Sequence, residues 1–168
     1  MDDDEQYSAY VSARWTRLVH AAMLLGCSFH EAEDLVQSTF VKCYVAWDKV
    51  LKADDRDAYV YRMLMNTYTS SRRRFWGRER PSKVLPEPSA GDASGSVELA
   101  DSVRRALAGL GEPARAVVVL RFFADLTERQ TATVLGIPSG TVKSRLSRAM
   151  EQLSHDPHLI DLPGGSAS

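Results

Sequence analysis

A segment rich in proline, glycine and serine near the middle of the chain limits what the chain can fold into. Residues 79–96 read ERPSKVLPEPSAGDASGS and hold three prolines, two glycines and four serines. This composition interrupts helices and strands, and the segment shows no apolar periodicity, so it is typical of a linker. We therefore predict two folded parts, residues 1–78 and 97–153, joined by a flexible linker at 79–96 and followed by a polar tail at 154–168.

Apolar residues in the first part recur at the spacing of helices, without the alternation that strands show. Trp15, Leu18 and Leu25 fall on one helical face. Ser28 and Glu31 then form the S-x-x-E pattern of a capping box, in which each side chain satisfies a free backbone N–H at the start of a helix. We predict three helices, ending near positions 25, 51 and 76, which are long enough to enclose one small core.

The second part is predicted to hold four helices. Thr127 and Gln130 form another capping-box pattern, T-x-x-Q, at the start of the third of these helices. Gly136 is predicted to end that helix, because glycine readily takes the left-handed conformation of a helix C-terminus. Ser96 and Ser139 are placed to cap the first and the last helix. The predicted fold is all-α, with a three-helix bundle followed by a four-helix domain.

The last two helices of the second part form a helix-turn-helix pattern. The stretch TERQTATVLGIPSGTVKSRLSRA, residues 127–149, reads as two short helices around a turn that contains glycine. Val142, Leu146 and Met150 are predicted to share the inner face of the final helix, so that its basic, polar face points outward. A helix-turn-helix inserts its second helix into the major groove, where Lys or Arg donates to guanine. We therefore predict contact with DNA and not a purely structural hairpin.

The net charge of -1 hides two basic patches. Residues 62–80 hold six arginines and one acid, and residues 139–150 hold three basic residues and no acid. The acids gather elsewhere, for example in the DDDE run near the start of the chain. Two separated basic patches on a nearly neutral chain favour local contacts to phosphate over a general affinity for nucleic acid.

The sequence offers no pattern for a membrane span, an enzyme or a metal site. No apolar run approaches the roughly 18 residues of a membrane helix, and the start MDDDEQYSAY is acidic, so a cytoplasmic protein is expected. We find no glycine-rich phosphate loop and no recognisable catalytic spacing of His, Cys and carboxylate, so neither catalysis nor a cofactor is predicted. The nearest metal candidates match no zinc module, and we expect both cysteines to be reduced thiols. Those candidates are His20, Cys27, His30 and Cys43.

Three stretches resemble a known family. LTERQTATVLGIPSGTVKSRLSRAMEQL, preceded by LGEPARAVVVLRF, closely resembles region 4 of bacterial RNA polymerase sigma factors of the extracytoplasmic-function type, group IV of the sigma-70 family. HEAEDLVQSTFVKCYVAW and AYVYRMLMNTYTSSRRR are similar to the polymerase-binding and minus-10 segments of region 2. The resemblance covers about residues 7–153 in the family's order. It implies a non-enzymatic subunit that binds core RNA polymerase, directs it to specific promoters and helps to melt the DNA.

The resemblance also implies contacts with the polymerase and with a regulator. Asp34 and Gln37 fall where the family contacts the clamp helices of the largest subunit, and Glu31 and Glu33 lie beside them. Spacing alone would equally fit solvated carboxylates on an amphipathic helix. The flap of the second-largest subunit is a further implied partner. Many relatives are held inactive by an anti-sigma protein, which is therefore an implied partner as well, whereas no membrane partner is expected.

The implied DNA contacts lie in both parts of the chain. Aromatic stacking on separated bases contributes roughly 1 to 3 kcal/mol per base, and we favour Phe75 and Trp76 for it over Tyr59, Tyr61 and Tyr68. The arginines near position 73 also complement the helix dipole without any partner. The family commonly has Asp where this chain has Ser70, which puts the local hydrogen bonds in doubt. The single-stranded minus-10 contacts are Asn66, Arg72, Arg73, Arg74, Phe75 and Trp76; the double-stranded minus-35 contacts are Thr141, Lys143, Ser144, Arg145, Ser147 and Arg148, with Thr141 and Arg145 near phosphate.

An independent helix-turn-helix regulator is the alternative function. Such a protein would need a dimer interface or a ligand pocket in its first part, and the sequence shows neither. A sigma factor tolerates weak DNA binding of its own, because the polymerase carries it and two short elements are read jointly. The 18-residue linker can stretch to roughly 60 Å, enough to reach two elements more than one helical turn of about 34 Å apart.

Overall fold

Every regular element that the structure describes is a helix. The computed structural model describes residues 2–75 and 94–160; for residues 74, 75 and 94–99 it describes the backbone only. The elements are α1 (Asp3–Leu24), α2 (Phe29–Val45), α3 (Trp47–Lys52), α4 (Arg56–Phe75), α5 (Ser94–Ala108), α6 (Glu112–Val118) with its π-helical turn (Val119–Phe123), α7 (Glu128–Leu135), α8 (Ser139–Ser154) and α9 (Pro157–Ile160).

The predicted capping boxes are confirmed. The backbone N–H of Glu31 donates to the hydroxyl of Ser28 at 3.2 Å, and the N–H of Ser28 donates back to the Glu31 carboxylate at 3.0 Å. Thr127 and Gln130 make the same reciprocal pair at the start of α7. Gly136 ends α7 in the left-handed conformation, with φ +65°. Local sequence therefore sets three of the helix ends around which the fold is built.

Several predicted boundaries are wrong. The second helix ends at Val45 instead of continuing to about position 51, because Ala46 leaves the helical conformation and α3 follows. Neither glycine nor proline marks this break. Ser139 is the first residue of α8 and not its cap, since the carbonyl of Pro138 accepts the first backbone hydrogen bonds. Ser96 lies inside α5, which begins at Ser94. The predicted tail begins with the last residue of α8 and contains the short helix α9, whose Leu159 packs partly against the core.

The two predicted parts pack against each other. One hydrophobic cluster includes buried residues of the first part, such as Leu25 and Tyr68, and of the second part, such as Leu110 and Leu126. Helix α7 packs along α4, and α1 contacts both α5 and the π-helical turn. We call this contact surface the seam. Residues 79–93 of the predicted linker lie outside the described residues.

Arg115 of α6 joins the ends of two helices across the seam. Its guanidinium donates to the carbonyl of Leu25 after α1 at 2.9 Å, and to the carbonyls of Leu107 and Leu110 around the end of α5 at 2.9 and 2.8 Å. Carbonyls at a helix C-terminus lack most of the regular intrahelical hydrogen bonds. The arginine gives these carbonyls a charged donor, in addition to the Leu110 N–H on Leu107 and the Tyr68 hydroxyl on Leu25. Gly26 has φ +118°, and a Cβ there would lie 3.1 Å from the Arg115 Nη1 atom. Glycine therefore permits both the turn and the close approach.

A polar network fixes α1 on the first turn of α4. The Asp57 carboxylate accepts hydrogen bonds from the Tyr10 hydroxyl at 2.7 Å and from the Arg14 guanidinium at 2.9 Å. Partial burial opposes ionisation of Asp57, but these two hydrogen bonds outweigh it and lower the pKa of the carboxyl below its usual value. The network thus positions the helix that carries the predicted minus-10 residues.

The end of α6 widens into the π-helical turn. The N–H of Ala124 donates to the carbonyl of Val119 at 3.0 Å, which is the five-residue spacing of a π-helix. Asp125 follows with φ +57°, a left-handed conformation that an aspartate tolerates better than most residues do. Within residues 2–75 and 94–160, no helix combines the length and apolar character needed to cross a membrane.

Replacing Arg115 by Met tests the contribution of the shared guanidinium. We expect the free energy of unfolding to fall by about 2–4 kcal/mol, because the carbonyls at the ends of α1 and α5 lose a charged donor. Urea unfolding followed by circular dichroism measures the change. Arg105→Met is the matched control, since Arg105 is mostly exposed and forms a surface pair with Asp101. It should change stability by about 0.5 kcal/mol at most. Equal losses in the two variants would contradict the role given to Arg115.

Asp57→Asn tests the polar network through its pH dependence. The carboxylate stabilises the fold above about pH 4, the pKa of an unfolded aspartate, and this contribution is lost as the pH falls through the lower pKa of the folded chain. We expect the variant to be about 1–2 kcal/mol less stable at pH 7, with the difference shrinking in acid. Unfolding curves between pH 2 and 7 measure it, with the exposed Asp54→Asn as control. A difference that stays constant with pH would rule out an ionic contribution.

Candidate nucleic-acid and polymerase interfaces

Helix α8 is held by a buried inner face. Val142 is fully buried and packs with Val117 of α6 and Ala132 of α7, while Ala149 and Leu153 are also buried. The prediction that Met150 belongs to this face is wrong, because Met150 is 43% exposed and Ala149 is 1% exposed. The buried positions 142, 149 and 153 and the partly buried Leu146 follow a spacing of four, three and four residues, which places them on the face of α8 that packs against α6 and α7.

The outer face of α8 is open and basic. Lys143, Ser147 and Arg148 are exposed, so their donors are free to approach another molecule. Ser144 is half-buried and its hydroxyl donates to the carbonyl of Thr141 at 3.2 Å. Arg145 is half-buried as well. The structure therefore brings the six predicted minus-35 residues onto one helix, and it leaves three of them most accessible.

The predicted minus-10 residues on α4 differ in accessibility. Asn66 and Arg73 are exposed and seven residues apart, so they lie on one face of the helix. Ser70 is exposed near the same face. The side chains of Arg74 and Phe75, and the whole of Trp76, lie outside the described residues. The structure thus describes the side chains of only three predicted minus-10 residues. Asn66 and Arg73 are exposed, whereas Arg72 is half-buried.

Arg72 points into the seam. Its Nε atom donates to the Tyr68 hydroxyl at 2.9 Å, its Nη2 atom lies 3.1 Å from the Glu112 carboxylate, and its guanidinium lies over the Tyr68 ring. Burial opposes the charge on Arg72, but the hydrogen bond to Tyr68 and the proximity of Glu112 outweigh it and raise its pKa. Arg72 is therefore a fixed cation with partners in both parts of the chain.

The tyrosines of α4 belong mainly to the core. Tyr61 and Tyr68 are buried, and the Tyr68 hydroxyl donates to the carbonyl of Leu25 at 3.1 Å. Neither ring is accessible to a base in this arrangement. Tyr59 is half-buried. The preference for Phe75 and Trp76, at the end of α4 and directly after it, stays a prediction.

The predicted polymerase-binding residues lie at the start of α2. Asp34 and Gln37 are exposed, whereas Glu31 is engaged in the capping box and Glu33 is half-buried. The carboxylate of Glu33 lies 3.9 Å from the His30 ring. Of these four residues, only Asp34 and Gln37 are both exposed and outside the capping box.

Sequence reasoning missed an apolar continuation of this face. Val41 is 62% exposed and Val45 is 82% exposed. They follow Asp34 and Gln37 at helical spacing, so the four side chains lie along one exposed strip, which we call the α2 strip. The sequence could have revealed this surface. The buried face of α2 includes Val36, Phe40 and Cys43. Val41 and Val45 do not fall on that face, so they had to be exposed if α2 was a regular helix.

Metal and thiol chemistry receive no support from the described residues. Across residues 2–75 and 94–160, no group of three or more His, Cys, Asp or Glu side chains is arranged to hold a metal ion. Cys27 and Cys43 are both free thiols. Burial raises the pKa of Cys27 to about 12 and that of Cys43 to about 11, so both remain protonated near neutral pH.

Comparison with known sequences identifies both parts. The family model for Sigma-70 region 2 matches residues 12–78, and the model for Sigma-70, region 4 matches residues 100–153. The RNA polymerase sigma-E factor of Streptomyces avermitilis is 32% identical over 157 residues, covering 94% of this chain and 88% of that one. The ECF RNA polymerase sigma factor SigW of Bacillus subtilis is 30% identical over 142 residues and covers 74% of both chains.

Solved structures show the same arrangement of helices. The sigma factor RpoE in complex with the anti-sigma factor NepR, from Bartonella quintana, matches with a TM-score of 0.72 and 25% identity, covering 89% of this chain and 95% of that one. CnrH, solved with the cytosolic domain of CnrY, matches in fold with a TM-score of 0.65 and 24% identity over 90% of this chain and 86% of that one. The two matched regions, the relatives and the shared fold together show that this chain belongs to the sigma-70 family of RNA polymerase sigma factors, in its extracytoplasmic-function group.

Proposed function

We propose that α8 reads the minus-35 element of a promoter in the major groove while α4 holds the melted minus-10 strand, within a sigma factor that acts with core RNA polymerase. The observation that carries this proposal is the open face of α8. Lys143, Ser147 and Arg148 are exposed on a helix whose opposite face is fixed by Val142 and Ala149. Lysine and arginine donate well to guanine, and serine can donate or accept, so this face suits base readout.

Melting requires groups that bind separated strands better than paired ones. On α4, Asn66 offers an amide and Arg73 offers a cation on the same exposed face. Arginine contacts phosphate without regard to sequence, and aromatic rings such as those predicted at Phe75 and Trp76 would stack on unpaired bases. No covalent chemistry is needed for this function, so we propose a non-catalytic role.

The α2 strip supports the proposed contact with the clamp helices of the largest polymerase subunit. Asp34 and Gln37 supply polar groups, and Val41 and Val45 add exposed apolar surface beside them. Exposed apolar patches rimmed by polar residues are typical of protein interfaces. The clamp contact would therefore combine a charged end with an apolar end on one helix.

Two exposed aromatic side chains support the proposed contact with the polymerase flap. Phe122 is 51% exposed and Phe123 is 40% exposed, both within the π-helical turn. Aromatic residues are enriched at the centres of protein interfaces, where their large surface is buried on binding. We assign this surface to the flap of the second-largest subunit.

An anti-sigma protein is a further proposed partner. The sigma factor RpoE of Bartonella quintana was solved in complex with the anti-sigma factor NepR, and its fold covers most of this chain. A partner of this kind would compete with polymerase for the regulated chain. Because every proposed contact is with the transcription machinery, we place the function in the cytoplasm.

Charge reversal on the α2 strip tests the polymerase contact. We expect wild-type chain to give specific run-off transcription with core polymerase, and Asp34→Arg to weaken core binding about tenfold or more, because a buried contact would bring an unpaired charge into the interface. Asp48→Arg makes the same charge change at an exposed position of α3 and should bind core normally. Affinity measurements with labelled chain and run-off assays provide the readouts. Equal behaviour of the two variants would contradict the assignment of the strip.

Alanine substitutions on α8 test promoter reading. Lys143→Ala or Arg148→Ala should cost roughly 1 to 3 kcal/mol at particular minus-35 bases, and much less when those bases are already changed. Transcription from a set of single-base promoter variants with reconstituted polymerase measures this selectivity. Lys49→Ala, an exposed change on α3, serves as control. A uniform loss over all promoter variants would mean that the two side chains touch only phosphate.

A further inference from the structure

Arg72 binds an anionic group from the other part of the chain. The Glu112 carboxylate, at the start of α6, lies 3.1 Å from the Arg72 Nη2 atom. Arg72 belongs to α4, among the residues proposed to contact the minus-10 strand. A carboxylate and a phosphate present similar oxygen acceptors to a guanidinium, which binds both with the same planar donors. Glu112 therefore occupies the kind of contact that a DNA phosphate would make.

We propose that Glu112 acts as an internal substitute for phosphate, so that the second part of the chain and the promoter strand compete for Arg72. This inference rests on the proposed role of Arg72 in binding the minus-10 strand. In the free chain the guanidinium is held by Tyr68 and Glu112; in the promoter complex a DNA phosphate replaces Glu112. Binding of the strand then removes one of the contacts that hold the seam together.

The surroundings of Arg72 allow such an exchange. A cleft of about 210 Å³ opens beside the ion pair. Its walls include the side chains of Thr69 and Arg73, which provide a hydroxyl donor and a second, exposed cation. The Glu112 side chain is 47% exposed, so it can swing into solvent without leaving a buried charge. An entering phosphate would meet two arginines and would not need to unfold either helix.

The closed arrangement also explains why the exchange is needed. Helix α7 packs on α4, and α8 packs on α7, so the recognition helix lies two packing layers from the minus-10 helix. At about 8–10 Å per layer, the axes of α4 and α8 approach to roughly 20 Å. Two promoter elements lie more than one helical turn of about 34 Å apart, so binding both at once favours an opened seam.

Within residues 2–75 and 94–160, the other polar contacts described across the seam do not involve a proposed DNA-binding residue, as two pairs illustrate. The Gln130 amide donates to the Asp55 carboxylate, and Arg17 lies 3.7 Å from Asp125. Arg72 is thus the group through which strand binding and seam opening are coupled in the described part of the chain. Because binding free energies are reciprocal, any loosening of the Glu112 contact should strengthen strand binding.

The test measures binding of a fluorescent single-stranded thymidine oligonucleotide to the full chain at low salt, where phosphate contacts are strongest. Glu112→Gln should bind about two- to fivefold more tightly than wild type, the range expected for releasing an exposed ion pair. Glu128→Gln is the matched control, since it removes the same charge from the first turn of α7. The control accounts for the general effect of lowering the negative charge, and its gain should be clearly smaller.

Introducing Glu112→Gln or Glu128→Gln into an Arg72→Gln variant completes a double-mutant cycle. Glu112→Gln should then give no more gain than Glu128→Gln, because the guanidinium for which Glu112 competes is absent. If Arg72→Gln leaves oligonucleotide binding unchanged, the proposed phosphate contact of Arg72 is wrong. If Arg72→Gln weakens binding but Glu112→Gln matches its control in the wild-type background, the competition alone is overturned.

Discussion

The arrangement of this chain depends on how the ends of its helices are satisfied where the two parts meet. Helices α1 and α5 both end at the seam, where their last carbonyls are left without most of the regular intrahelical hydrogen bonds. Arg115 supplies donors to both ends, and Gly26 leaves the space for its approach. Together with the hydrophobic cluster and the packing of α7 on α4, this anchoring holds α6, α7 and α8 in place. The guanidinium thus helps to set where the proposed DNA-reading helix stands relative to α4.

The proposed interfaces share one construction. Each helix uses a stripe of apolar side chains to hold its place and leaves the opposite face to an outside partner. In α8 the fixed stripe includes Val142 and Ala149, and the free face carries Lys143 and Arg148. In α2 the free face is the strip that ends in the exposed Val45. Because the fixed stripes are rigid, the free groups are presented in a constant geometry, which base readout and protein docking both require.

Sequence reasoning predicted what local interactions decide. Each capping box depends on residues within a four-residue segment, and α7 with its glycine turn lies within ten residues. The helix-turn-helix can be predicted from these local signals. The break at Ala46 and the burial of Ala149 in place of Met150 depend on which neighbouring helices cross at those points, and no local signal marks them. The seam could not be predicted either, because it also depends on contacts between distant parts of the chain. Its hydrogen bond from Arg115 to Leu25 joins residues 90 positions apart in the chain.

The π-helical turn after α6 has a consequence for changes in chain length. Its wide turn takes one residue more than an α-helix would use over the same rise, so everything beyond Val119–Phe123 is rotated by about 100° relative to a regular continuation. Deleting one residue there would let the helix relax to regular geometry, but it would swing α7 away from α4 and turn Phe122 and Phe123 toward different surroundings. Evolution within this fold should therefore tolerate exchanges of residue type in this turn more readily than gains or losses of a residue.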